Sequence, residues 1–87
     1  MNFDEINERI KVVAVFDDNI RAACRPIKFI RPNKKETKIT EIGLVHPQTD
    51  GIHTKHVFDV TDGSTDYRLE FNAQTLVWRL TSIGDQF

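Results

Sequence analysis

The chain reads as a single all-β domain: a twisted antiparallel meander or small barrel of five to six strands, with a short N-terminal helical turn as a variant of that layout. Three observations lead there. Apolar and polar residues alternate at period two through the C-terminal half, the pattern of half-buried strands. Turn-forming residues interrupt the alternation at short intervals. Helical periodicity is almost absent from the 87 residues.

Taken in chain order, residues 3–10 fit either one or two helical turns or an extension of the first strand. Val12, Val13, Ala14, Val15 and Phe16 then form an unbroken apolar run, which predicts a strand covered on both faces. Asp17-Asp18-Asn19 ends it. A second strand includes Ile27 and Phe29, and Pro26 before them restricts its pairing to an edge or a strand start. Residues 31–36 have the polar, proline-bearing composition of a connection. Residues 37–44 read as a third strand. Ile39 and Ile42 are three apart, so both face the core only across a bulge, which Gly43 nearby would accommodate. Residues 46–51 read as a loop.

The second half is more regular. Phe58 and Val60 alternate with polar neighbours, and Thr61-Asp62-Gly63-Ser64 supplies turn chemistry. Tyr67, Leu69 and Phe71 follow at period two, with Asp66, Arg68, Glu70 and Asn72 on the opposite face. After the short connection Asn72-Ala73-Gln74-Thr75, the alternation resumes with Leu76, Trp78 and Leu80. Sequential strands with such short loops pair as an antiparallel meander. The expected core is Tyr67, Leu69, Trp78 and Leu80, joined by Phe58 and Phe71.

The stretch Phe58-x-Val60-Thr61-Asp62-Gly63, then Tyr67-x-Leu69-x-Phe71-Asn72, then Thr75-Leu76-x-Trp78-x-Leu80 resembles the closing pattern of a family of small uncharacterised bacterial proteins. Pro26-x-x-Phe29 and the Ile39-x-x-Ile42 pair resemble that family's earlier strands, so the likeness spans residues 12–80. It implies the fold and carries no catalytic residues, because the family has no established activity.

Composition narrows the functional classes. Charged residues make up 29% and apolar residues 39%, the balance of an ordinary globular domain. No stretch approaches the roughly 20 apolar residues that span a bilayer. The acidic start, Met1-Asn2-Phe3-Asp4-Glu5, lacks the basic and apolar regions of a signal peptide. Cys24 is the only cysteine, so it is expected as a small buried hydrophobe in a reducing, cytoplasmic setting. A chain of this size has little room for a deep catalytic cavity beside its core, and no Gly-rich phosphate loop or strained nucleophile turn is present. The expectation is a protein that is not an enzyme and uses no cofactor.

His46, His53 and His56, with Asp50 or Asp59, invite a metal reading. Their spacing does not converge on one point, as a zinc site requires, so no metal is expected. Asp59-x-x-Asp62-Gly63-x-x-Asp66 lacks the alternating ligands and closing Glu of a calcium loop.

Charge segregation is the strongest functional signal. The net charge is −1, yet residues 21–38 hold Arg21, Arg25, Lys28, Arg31, Lys34, Lys35 and Lys38 against the single acid Glu36. That window carries +6 and the remainder −7. If residues 27–31 and 37–42 pair, Arg31, Lys34 and Lys35 lie at a hairpin tip, with Lys28 and Lys38 on its solvent faces. A basic β-ribbon of this kind can grip nucleic-acid backbones or an acidic protein; the same composition also fits a solvated turn whose lysines keep the sheet edge from aggregating. The expected function is a binding module with Lys28, Arg31, Lys34, Lys35 and Lys38 meeting a polyanionic partner. The alternative is an adaptor or homodimer that uses an exposed strand edge.

Overall fold

A computed structural model of the protein describes residues 3–18, 24–51 and 53–85. They form one antiparallel sheet of seven strands: β1 (Phe3–Val15), β2 (Arg25–Ile30), β3 (Glu36–Lys38), β4 (Glu41–Asp50), β5 (His53–Thr61), β6 (Thr65–Asn72) and β7 (Val77–Asp85). The order across the sheet is β3-β2-β1-β7-β6-β5-β4. Among the described residues no helix is long and apolar enough to cross a membrane.

β3 and β4 are consecutive in the chain but stand at opposite margins of the sheet. The two residues between them explain how. The Ile39 N–H donates to the Ile27 carbonyl of β2, and the Thr40 N–H to the Thr61 carbonyl of β5, each at 2.8 Å. The Thr40 hydroxyl reaches the same Thr61 oxygen at 3.2 Å. Adjacent residues thus tie both margins together, and the sheet must curl into a half-barrel to let them. Backbone hydrogen bonding, which every buried peptide group requires, is satisfied at this corner on both sides.

The core lies on the concave side. Phe29, Phe58, Leu69 and Leu80 are fully buried, and Ile10, Val60, Tyr67, Phe71 and Trp78 nearly so. All six expected core residues are therefore in place. Trp78 stacks on Phe71 at 4.5 Å and lies 5.4 Å from Phe58, while Phe29 meets Tyr67 edge-on at 5.1 Å. Such pairs add to what burial alone contributes.

Several expectations need correction. Seven strands replace five or six because residues 37–44 are split by the corner, and because residues 46–50 extend β4 instead of forming a loop. Pro47 is tolerated there since β4 is an edge. The turn that follows uses Gly51 at φ +64°. Residues 3–10 are strand throughout, with no helical turn. The bulge falls between Ile42 and Val45 instead of between Ile39 and Ile42: Ile42 pairs with Val60 and Val45 with Phe58, and Leu44 is left 70% exposed. The run at 12–16 is covered on one face only, with Val13 and Phe16 exposed. Leu76 belongs to the β6–β7 turn, at φ +62° and 70% exposed.

Candidate functional site

The β2–β3 connection forms the expected basic turn. The Arg31 N–H donates to the Lys35 carbonyl and the Lys34 N–H to the Arg31 carbonyl, at 3.0 and 2.8 Å. Asn33 closes the turn by accepting the Lys35 N–H on Oδ1 at 2.9 Å. Lys34 takes the left-handed conformation at φ +69°. Lys34 and Lys35 are both exposed.

The five expected binding residues divide into two groups. Arg31 is engaged internally: its Nε and Nη2 donate to the two Glu8 carboxylate oxygens, each at 2.8 Å. This hydrogen-bonded pairing holds the Glu8 carboxyl below its ordinary pKa and raises that of Arg31. A bidentate guanidinium–carboxylate contact of this kind fixes geometry as well as charge, so Arg31 positions the turn against β1. Lys28 pairs with Glu36 at 2.9 Å. Lys34, Lys35 and Lys38 make no ion pair among the described residues. Arg21, from the same basic window, lies outside the described residues.

Register adds cations that the window omitted. Lys38 stands directly opposite Lys28, which stands opposite Val13. Two and four residues back along β1, on the same face by strand parity, are Lys11 and Arg9. Arg9 stands opposite Arg79 of β7. The solvent side of β3-β2-β1-β7 therefore gathers Lys38, Lys28, Lys11, Arg9 and Arg79. Two of its cross-strand pairs are like-charged, an arrangement that is locally destabilising. Among the described residues the Asn7 amide oxygen accepts from Arg79 at 3.2 Å, and Glu70 of β6 stands opposite Arg79 on its other side. On β5 and β6, by contrast, cations have carboxylate partners: Arg68 with Asp59 at 2.7 Å and Lys55 with Glu70 at 3.6 Å. The alternation of Arg9 and Lys11 with Ile10 and Val12 carried this signal, but it lay outside the dense basic stretch.

An apolar cleft of about 820 Å³ adjoins the turn. Val12, Phe16, Ile30, Leu76, Val77 and Trp78 are among its walls, and Arg9, Lys11, Arg31 and Lys34 supply its polar groups. Nothing in the sequence pattern announced it, because its walls come from the ends of β1, β2 and β7 and from two turns.

The other candidates do not assemble. His46 stands opposite Val57 and His56 opposite Pro47, so these histidines occupy opposite faces, and His56 rests against Phe71. The His53 and Asp50 side chains lie outside the described residues. No group of three His, Cys, Asp or Glu side chains among the described residues could hold a metal ion. Cys24 is buried, and desolvation pushes its thiol up to about 11, which suppresses thiolate reactivity. Asp62 is structural. Its Oδ1 accepts the Ser64 and Thr65 amides at 2.9 and 2.8 Å, and its Oδ2 accepts the Tyr67 hydroxyl at 3.0 Å. Burial would raise the Asp62 pKa, but these hydrogen bonds outweigh it and leave the group below its ordinary value.

Comparison of the chain with family models, curated proteins and solved structures finds no match.

Proposed function

We propose that the protein is a non-enzymatic binding module whose basic β2–β3 hairpin, with the adjoining solvent face of β1 and β7, engages the phosphate backbone of a nucleic acid. The observation that carries this reading is the gathering of Lys38, Lys28, Lys11, Arg9 and Arg79 on one face, where Glu36 pairs with Lys28 and Lys38, Lys11 and Arg9 make no ion pair among the described residues. Like charges set opposite each other destabilise a sheet, and a polyanion lying across them reverses that sign. Lys34 and Lys35 extend the same field to the turn.

The adaptor reading ranks second because both sheet margins are blunted. β3 has only three residues. β4 is long, but Pro47 lacks an N–H and the register break between Ile42 and Val45 interrupts the edge. Both are devices that discourage strand addition.

Contacts to phosphates make binding sequence-tolerant and strongly salt-dependent. With about three to five phosphates neutralised, the slope of log affinity against log salt is expected at roughly −3 to −4.5. Changing Lys34, Lys35 and Lys38 together to Gln should flatten the slope by up to about three units, while Lys55→Gln serves as a control outside the basic face. Single-stranded DNA, duplex DNA and RNA at low and moderate salt are the probes. Absence of binding to all three at low salt would end this reading and promote the adaptor.

A further inference from the structure

We propose that the cleft beside the basic turn binds a separate ligand, a single-chain aliphatic carboxylate. Its tail lies among Val12, Leu76 and Trp78, and its head meets Lys34 of the turn at the cleft's rim. This goes beyond the nucleic-acid reading and does not depend on it.

The first argument is the chemistry of the wall. The lining is apolar or cationic, with no acidic side chain; its one neutral polar group is the Trp78 indole N–H, a donor. A ligand with polar edges, such as a nucleobase, would leave those edges unsatisfied, at a substantial penalty. Nor can a base stack readily on the aromatic floor, since Phe71 and Trp78 already stack on each other at an interplanar angle of 23°. An alkyl chain leaves no polar group of its own unsatisfied in such a cleft and gains in proportion to the apolar area it buries. The rim then selects a negative head group through Lys34, which has no carboxylate partner among the described residues.

The second argument is Leu76. Its backbone is left-handed at φ +62°, a conformation that favours Gly or Asn and is unfavourable for a branched, bulky side chain. The turn is held by its own bonds: Asn72 Oδ1 accepts the Gln74 and Thr75 amides at 2.9 and 3.2 Å, and the Leu76 N–H donates to the Asn72 carbonyl at 2.7 Å. The leucine side chain adds little to the core, being 70% exposed, and Phe16 across the cleft is 63% exposed. Strained residues retained without a packing role concentrate at binding sites. The volume, about 820 Å³, lies within the roughly 300–1,000 Å³ typical of small-molecule sites.

Trp78 is the sole tryptophan, so its emission reports occupancy directly. The protein is titrated with sodium dodecanoate below its micelle-forming concentration, with dodecanol, and with vesicles of phosphatidylglycerol and phosphatidylcholine. The expected result is a saturable change with dodecanoate, a rise in Tm with its concentration, and at least tenfold weaker binding of dodecanol. Leu76→Gly should weaken dodecanoate binding about tenfold, the consequence of removing one leucine from the contact, while keeping the wild-type Tm or exceeding it. Lys35→Gln and Lys38→Gln, outside the cleft, should leave dodecanoate affinity unchanged, which separates this test from that of nucleic-acid binding. Equal affinity for dodecanoate and dodecanol, unchanged affinity in Leu76→Gly, or capture by vesicles without binding of monomeric dodecanoate would each overturn the proposal.

Discussion

The β5–β6–β7 meander and the β1–β2–β3 arm are built from the same kind of strand but hold their register by different means. In the meander, short turns set the alignment. Asp62 gathers the amides of one turn and Asn72 those of the next, so each strand is placed by residues a few positions away. In the arm, β1 changes partner part-way along: Phe3 to Ile10 pair with β7, and Lys11 to Val15 with β2. The Arg31–Glu8 contact, 23 residues apart in sequence, fastens it. Local turn chemistry thus governs one region and distant contacts the other. The region with distant control also carries Arg9, Lys11, Lys34, Lys35 and Lys38, which make no ion pair among the described residues.

The strongest way to break the meander is to empty its centre. Trp78→Ala should cost about 3–5 kcal/mol, a large share of the roughly 5–15 kcal/mol that stabilises an ordinary domain. Chemical denaturation would measure it, and a loss below about 1 kcal/mol would show that the ring stack is dispensable. Asp62→Ala removes the turn's acceptor and should cost about 1–2 kcal/mol, with the loss centred on the amides of Ser64 and Thr65.

Acid should sharpen the contrast between the two regions. Glu8 in the arm and Asp62 in the meander both have lowered pKa values in the fold. The stabilisation each contributes is therefore present above the ordinary carboxylate range near pH 4 and is lost as pH falls through the lower folded-state values. Glu8→Gln should make acid destabilisation shallower and remove the pH response of the β2–β3 turn, followed by amide NMR, while the β5–β6 turn still responds. The smallest expected effect is Leu76→Gly. Relief of the left-handed strain is partly offset by the greater freedom of unfolded glycine, for a net stabilisation of up to about 1 kcal/mol, measured as a rise in Tm.

Legibility in the sequence follows the same division. Tyr67, Leu69, Phe71, Trp78 and Leu80 alternate cleanly because their strands are regular where they face the core. Leu76 broke the pattern because its left-handed backbone leaves no trace in residue type. Residues 3–10 were ambiguous because Ile6 and Ile10, four apart, satisfy both the helical period and the strand period. The basic turn at 31–35 was visible as composition. Its extension through Arg9, Lys11 and Arg79 was not, since only register brings those residues beside Lys28. The occupation of Arg31 by Glu8 was hidden for the same reason.

The corner at Ile39 and Thr40 has a consequence for how fast the chain can find its fold. β1 must reach β7 from the far end of the sequence, as in the pairing of Ile10 with Trp78, and closing so long a loop directly is entropically slow. Docking Thr40 on Thr61, only 21 residues away, brings the arm to the meander through shorter closures. Ile39 then holds β2, and β1 follows as its hairpin partner. Two glycines inserted between Ile39 and Thr40 would leave every strand able to pair but abolish this shortcut. Stopped-flow refolding should then slow by more than unfolding accelerates, which would make these two residues a determinant of folding rate more than of final stability.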